Sequence, residues 1–199
     1  KVVGTGETTD RIINLAGTTG GGAIDQSGTG LLKFTSSFTA TGAGSKTLTL
    51  QGSTAGTGEI AGAIVDNSVT NKTSVTKAGT GTWTLSGANT YNGATTVNAG
   101  TLALGANNAF SANSAIVLTA GTVDLKSFST SAASLDFAAA STLKFNLGTP
   151  GNSTALLALS GNLAKTSTGV FTLDFSGSGQ AGTYNLVSFS GTTFSGQSD

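Results

Sequence analysis

The sequence contains no cysteine, no histidine and no methionine, a single proline (Pro150) and a single tryptophan (Trp83), and only 9% of its 199 residues are charged. Each absence removes a class of chemistry. Without Cys or His there are no thiol nucleophiles, no disulfides, none of the commonest metal ligands and no imidazole to exchange protons near neutrality. Most enzyme mechanisms are closed by that alone, and no cofactor is expected. Nine acidic residues balance nine basic ones. They are scattered singly, so no basic stripe tracks a phosphate backbone and nucleic acid is not an expected partner. No apolar run approaches the ~18–20 residues that span a bilayer, so no membrane span is expected in this chain. The opening Lys1-Val2-Val3-Gly4 lacks the charged and apolar regions of a signal peptide, and Lys1 reads as a processed or arbitrary start of a longer product.

What remains is glycine, threonine and short apolar alternation. Thirty glycines and abundant threonine, with little Lys and Glu, favour turns and strands over helices. Apolar alternation recurs at 12–15, 32–34, 48–50, 60–64, 83–85, 95–97, 102–104, 116–118, 123–125, 143–147, 156–159, 170–175 and 184–189. These segments predict about thirteen short strands separated by Gly, Ser, Asn and Thr clusters. No window carries a convincing helical period, and the nearest, Ser131–Ala140, reads as a turn. The cluster Gly20-Gly21-Gly22-Ala23-Ile24-Asp25 only brushes a calcium-binding glycine–aspartate repeat and reads as a flexible turn.

Residues 77–105 condense this pattern. Trp83 and Leu85 share one face and Thr82 and Thr84 the other. The breaks fall at Gly87, Asn92-Gly93 and Ala99-Gly100, where the backbone can turn. Such a coil has no core of its own and is stable only when neighbouring coils cover its apolar edge, which implies a solenoid. The segment echoes elsewhere. Gly28-Thr-Gly30-Leu-Leu32-Lys-Phe34 restates Gly79-Thr-Gly81-Thr-Trp83-Thr-Leu85 at an offset of 51 (79 − 28), and Lys165 to Leu173 restates Lys77 to Leu85 at 88 (165 − 77), setting Phe171 on Trp83.

The run from Gly79 through Trp83, Tyr91 and Gly93 to Leu102 resembles the autotransporter-associated β-strand repeat of bacterial autotransporter passengers and large surface proteins. The resemblance implies an all-β fold, a right-handed parallel β-helix, with Gly79, Gly81, Gly87, Gly93 and Gly100 at corners and Trp83, Leu85, Tyr91, Val97, Leu102 and Leu104 in the core. It implies a bacterial exoprotein at the cell surface or outside the cell, and it carries no catalytic residues. The segment from Ala181 to Gly191 more weakly resembles the strands that follow such repeats. One elongated domain over 1–199 is expected, with residues 148–152 as the place for a hinge.

Candidate sites divide between this architecture and local chemistry. Glycoside hydrolysis would need two carboxylates drawn from Asp10, Asp25, Glu59, Asp66, Asp124, Asp136 and Asp174. Their spacing singles out no pair, and Asp124 with Lys126, or Asp174 with a neighbouring Lys, reads as a cross-strand partnership. Stacked Thr-x-Thr pairs would suit an ice-binding face, yet Thr47-Leu48-Thr49 and Thr82-Trp83-Thr84 do not recur once per coil in the sequence. Trp83, Tyr91 and Tyr184 would stack on sugars if exposed, although Trp83 alternates in phase with Leu85.

The expectation is a non-enzymatic extracellular structural protein whose partner is itself, joined into a filament, sheath or adhesive fibre through edges at Val2, Val3, Tyr184, Leu186, Phe189 and Phe194. The alternatives are a monomeric passenger that binds polysaccharide or a host surface and, behind it, an ice-binding or polysaccharide-lyase-like solenoid.

Overall fold

The short alternating segments become strands that pair with strands a full turn of chain away. In the computed structural model, which describes residues 2, 4–18, 20–177 and 180–194, every strand ladder is parallel. Sheet 1 stacks β1 (Glu7–Thr9), β4 (Leu31–Phe34), β7 (Thr57–Ile60), β9 (Thr82–Leu85), β11 (Thr101–Leu104), β13 (Thr122–Asp124), β16 (Ser141–Leu147) and β19 (Phe171–Gly177) in that order. Sheet 2 stacks β3 (Gly22–Gln26), β6 (Lys46–Gly52), β8 (Thr73–Lys77), β10 (Thr95–Val97), β12 (Ala115–Leu118), β15 (Ser134–Phe137), β18 (Asn162–Lys165) and β21 (Gly191–Phe194). A third face pairs β2 (Asn14–Leu15) with β5 (Thr39–Ala40), and later joins β14 (Thr130–Ala132), β17 (Leu157–Leu159) and β20 (Val187–Ser188). The chain therefore visits sheet 1, the third face and sheet 2 in turn, and spatial order repeats chain order. This is a parallel β-helix.

A parallel pair needs a long crossover, and here the other two faces of each rung supply it. Rung length varies. Register partners Phe34 and Ile60 are 26 residues apart (60 − 34), Leu85 and Leu104 are 19 (104 − 85), and Leu143 and Leu173 are 30 (173 − 143). The extra residues lie in loops, since the strands keep register.

Because side chains alternate along each strand, register turns single apolar residues into columns. On sheet 1, Phe34, Ile60, Leu85 and Leu104 form one buried column, and Trp83, Leu102, Val123 and Leu143 the next. Burying each such side chain contributes about 1.5–3 kcal/mol. The largest member needs an exemption. Trp83 lies opposite Gly58, and a Cβ on Gly58 would sit 2.3–2.5 Å from three atoms of the indole. Glycine leaves that space, and the indole Nε1 donates to the Gln51 carbonyl at 2.9 Å.

Several expectations change. The described residues hold 21 strands rather than thirteen, because two- and three-residue strands too short to show alternation are recruited by their neighbours in the stack. Ser131–Ala140 is no turn: it contains the end of β14 and all of β15, with Leu135 and Phe137 buried. Of the cluster Gly20 to Asp25, read as a flexible turn, Gly22 to Asp25 lie in strand β3, which pairs with β6. Of 184–189 only Val187–Ser188 is strand, and the apolar run 60–64 leaves sheet 1 at Ile60. The echo at offset 51 coincides with register, whereas that at 88 does so only in part. Lys77 and Lys165 occupy one column of sheet 2, but the register places Leu173 in the Trp83 column, and Phe171 packs its ring 4.7 Å from that of Phe137.

A Gly58→Ala substitution is expected to lower unfolding free energy by about 1–3 kcal/mol through overpacking against Trp83. Denaturant titration followed by the fluorescence of this single tryptophan measures it, and a change under a few tenths of a kcal/mol would mean the indole has room to shift.

Candidate functional site

The residues singled out in 77–105 are an architectural unit. Trp83, Leu85, Tyr91, Val97, Leu102 and Leu104 are all buried. Trp83 and Tyr91 are thus not available to stack on a sugar. Gly79, Gly81, Gly87, Gly93 and Gly100 sit at corners where backbone of the preceding rung comes close. Gly100 shows the constraint best. Its φ is +64°, and an added Cβ would meet the Gly79 and Gly81 carbonyl oxygens at 2.5 Å and Lys77 Nζ at 2.7 Å.

That lysine is a polar group the sequence did not mark as structural. Lys77 ends β8 in the inward phase, in the column of Leu50 and Val97, and it is fully buried. Its stem packs with the core while Nζ donates to the carbonyls of Ala78, Gly79 and Ala99 at 2.7, 2.8 and 3.0 Å. It closes a corner whose carbonyls point inward. Lys46 donates likewise to Gly17 and Ala43, Lys165 to Ser167 at 2.9 Å, and Gln26 to Gly30 at 2.5 Å. Burial pushes the Lys77 ammonium down from 10.5 to about 8.

Two further buried polar groups bond between rungs, and Asn89 does so in place of a strand ladder on the third face. Asn89 accepts from Ile64 N–H at 2.7 Å and donates to the Ala109 carbonyl at 2.6 Å, so one side chain ties three successive rungs. Tyr91 shares a hydrogen bond with Thr95 Oγ1 at 2.6 Å, which continues to Ser114 Oγ at 2.9 Å. Burial pushes the Tyr91 phenol up to about 12, against those hydroxyl contacts, which lower it.

Six of the seven acids weighed for catalysis have local partners, which are backbone N–H groups, hydroxyls, an amide or a neighbouring charge. Asp66 accepts from the N–H of Thr73 and Asn92, Asp136 from Thr166, and Asp25 from Ser27 and Gln51. Asp124 accepts from the Lys126 N–H at 2.8 Å and in register faces Lys144, so its cross-strand neighbour is Lys144 and not Lys126. Asp174 pairs with Lys144 at 3.2 Å, the cross-strand partnership expected of it. Glu59 pairs with Lys33 at 3.0 Å. Burial raises the Glu59 carboxyl, but the Ser86 hydroxyl and Lys33 outweigh it and hold the group below its ordinary value. Among the described residues no group of three or more acidic, Cys or His side chains could hold a metal, and no helix is long and apolar enough to cross a membrane.

Register also reveals a row hidden in the sequence. Thr57, Thr82, Thr101, Thr122, Thr142 and Thr172 come from six successive rungs of sheet 1 and stand in one outward column. Single threonines thus recur in six of the eight rungs of sheet 1, while the Thr-x-Thr pairs do not recur once per rung, as expected. The row beside it carries charges, so it offers no second hydroxyl row for ordering water.

Of the expected edge residues, Val2 bridges to Gln26, the Tyr184 hydroxyl donates to the Gly148 and Gln180 carbonyls at 3.1 Å, and Leu186 is half-buried. Phe189 and Phe194 are exposed, and Val3 lies outside the described residues. The expected hinge segment is tied to a later loop, with Gly151 N–H donating to Thr183 and Asn152 Nδ2 to Asn185.

An uninterrupted parallel β-helix whose buried lysines close its own corners is a β-solenoid. Comparison with known proteins narrows this. Residues 75–104 match the family model of the passenger-associated-transport-repeat. Over 86 residues, 42% of this chain, it is 41% identical to the adhesin BmaC autotransporter of Brucella suis biovar 1 (strain 1330), and spans 2% of that relative's length. No solved structure matches the chain. The protein carries an autotransporter-associated passenger repeat on a parallel β-helix.

Asn89→Ala leaves a buried donor and a buried acceptor unpaired and is expected to cost about 2–4 kcal/mol in unfolding free energy, measured by chemical denaturation. Stability should also turn with pH. From about 8 to 10.5 the unfolded chain holds a proton that folded Lys77 has lost, so stability rises with pH. From 10 to about 12 folded Tyr91 keeps a proton the unfolded chain has lost, so stability falls. In melts from pH 7 upward, Lys77→Met should remove the rise and Tyr91→Phe the fall.

Proposed function

We propose that this chain is a non-enzymatic, extracellular segment of a bacterial surface passenger, a rigid β-helical module that associates with further copies into a fibre or adhesive stalk. The observation that carries the reading is the uninterrupted stack of parallel rungs, a stiff repeat whose outer sheet faces are what it can present to further copies. The similarity to an autotransporter adhesin supports placement at the cell surface.

A second reading, a passenger that acts as a monomer on polysaccharide or a host surface, is favoured by one observation. A hollow of about 250 Å³ on the third face has Thr90, Asn108 and Ser131 on its wall, with hydroxyl and amide groups to offer a ligand, over buried Asn89 and Phe110.

Sedimentation at two concentrations with negative-stain electron microscopy separates the two. Filaments whose mass grows with concentration are the expected result. Discrete rods at every concentration would overturn assembly and move attention to a glycan array.

A further inference from the structure

Sheet 1 carries a second outward row beside the threonines, and its charges are ordered. After Thr8 on the first rung it reads Lys33, Glu59, Thr84, Ala103, Asp124, Lys144, Asp174, one residue from each of the next seven rungs. With rungs about 4.8 Å apart the row is roughly 29 Å long. Lys33, Glu59, Lys144 and Asp174 keep part of their side chains in solvent, and they form ion pairs at the two ends of the row.

We propose that the outer face of sheet 1 docks face to face on a second copy of this chain, about a two-fold axis midway between the two faces, parallel to β11 and over Ala103. The inference rests on the reading of this chain as a self-associating surface module, but assigns association to the flank of the helix, away from its end. A two-fold axis along the strands reverses the stacking direction and leaves position along each strand unchanged, so every row meets itself in reverse order. Lys33 of one copy then opposes Asp174 of the other, Glu59 opposes Lys144, Thr84 opposes Asp124, and Ala103 opposes itself. Each opposition occurs twice. That makes four contacts of opposite sign and none of like sign, and the small Ala103, recessed between its neighbours, places no charge at the centre.

The alternative arrangement, with stacking directions parallel, sets Lys33 on Lys33 and Asp174 on Asp174 and repels at every charged rung. The neighbouring row is compatible with the same axis. Reversed about Thr101 it sets Thr122 on Thr82, Thr142 on Thr57 and Thr172 on the exposed Leu31, with no charge to desolvate. A row of one sign would fit an oppositely charged partner, and an uncharged row would have no preferred direction. This row fits a reversed copy of itself.

The test is a charge swap read by sedimentation equilibrium of the full chain at low salt. The expected wild-type species is a closed dimer that weakens as salt is raised. Glu59→Lys alone, or Lys144→Glu alone, is expected to weaken dimerisation by at least about ten-fold, because each sets like charges against one another across the axis. The double variant Glu59→Lys/Lys144→Glu should restore it. That restoration cannot come from within one copy, where both ion pairs, Lys33 with residue 59 and residue 144 with Asp174, stay broken. Should a single variant fail to fold by circular dichroism, Lys33→Glu with Asp174→Lys supplies the same cycle at the outer contacts. A chain that stays monomeric at all concentrations, or a dimer indifferent to these swaps, overturns the proposal. Open-ended growth indifferent to the swaps also overturns it while leaving end-to-end assembly standing, so the two readings fail separately.

Discussion

Everything in this protein depends on the parallel hydrogen-bonded stacking of one rung on the next. Rung spacing of about 4.8 Å is shorter than any large side chain is wide, so residues in register must share a column, and a column tolerates only what its neighbours leave room for. Gly58 exists because Trp83 stands beside it. The corners obey the same rule from the backbone side, since carbonyls of consecutive rungs approach until a Cβ would intrude, as at Gly100.

Stacking also decides what polar groups do. A triangular coil turns some carbonyls toward its own interior, where water does not reach, and each needs a donor. Lys77 answers with a single ammonium shared among three carbonyls, while Asn89 answers where the chain on the third face is too irregular for a strand. These are costly groups to bury, and their burial shifts Lys77 and Tyr91 in the direction of their neutral forms. The chemistry of its buried side chains is thus spent on its own architecture, and what is left for partners lies on the outer faces.

Much of the fold was legible. The alternation of Trp83 with Leu85, the Gly79-Thr80-Gly81 corner and its echo at Gly28-Thr29-Gly30 placed strands and turns correctly, because side-chain direction within a strand follows from local geometry. Less legible were segments such as Ser131–Ala140 and Gly22–Gln26. Rich in Ser, Ala and Gly, they are weak strands alone and are held extended by the rungs above and below, a tertiary override of propensity. Phe171 deceived for a related reason. The corner after Lys165 is two residues longer than that after Lys77, and one residue type in an echo cannot report loop length.

The sequence by itself determined the class of structure: too little charge and too few reactive side chains for most catalysis, glycine corners at short intervals, and alternation with period two. These are properties of single residues and near neighbours, and they survive without knowing which rung lies on which. Only the tertiary structure decided the columns. Which threonines form a row, which lysine closes which corner and how Lys33, Glu59, Asp124, Lys144 and Asp174 are ordered along one face depend on register between residues 19 to 30 positions apart. Variable loops carry no periodic signal for that register, and the hydrogen bonds and side-chain volumes of the stacked rungs set it.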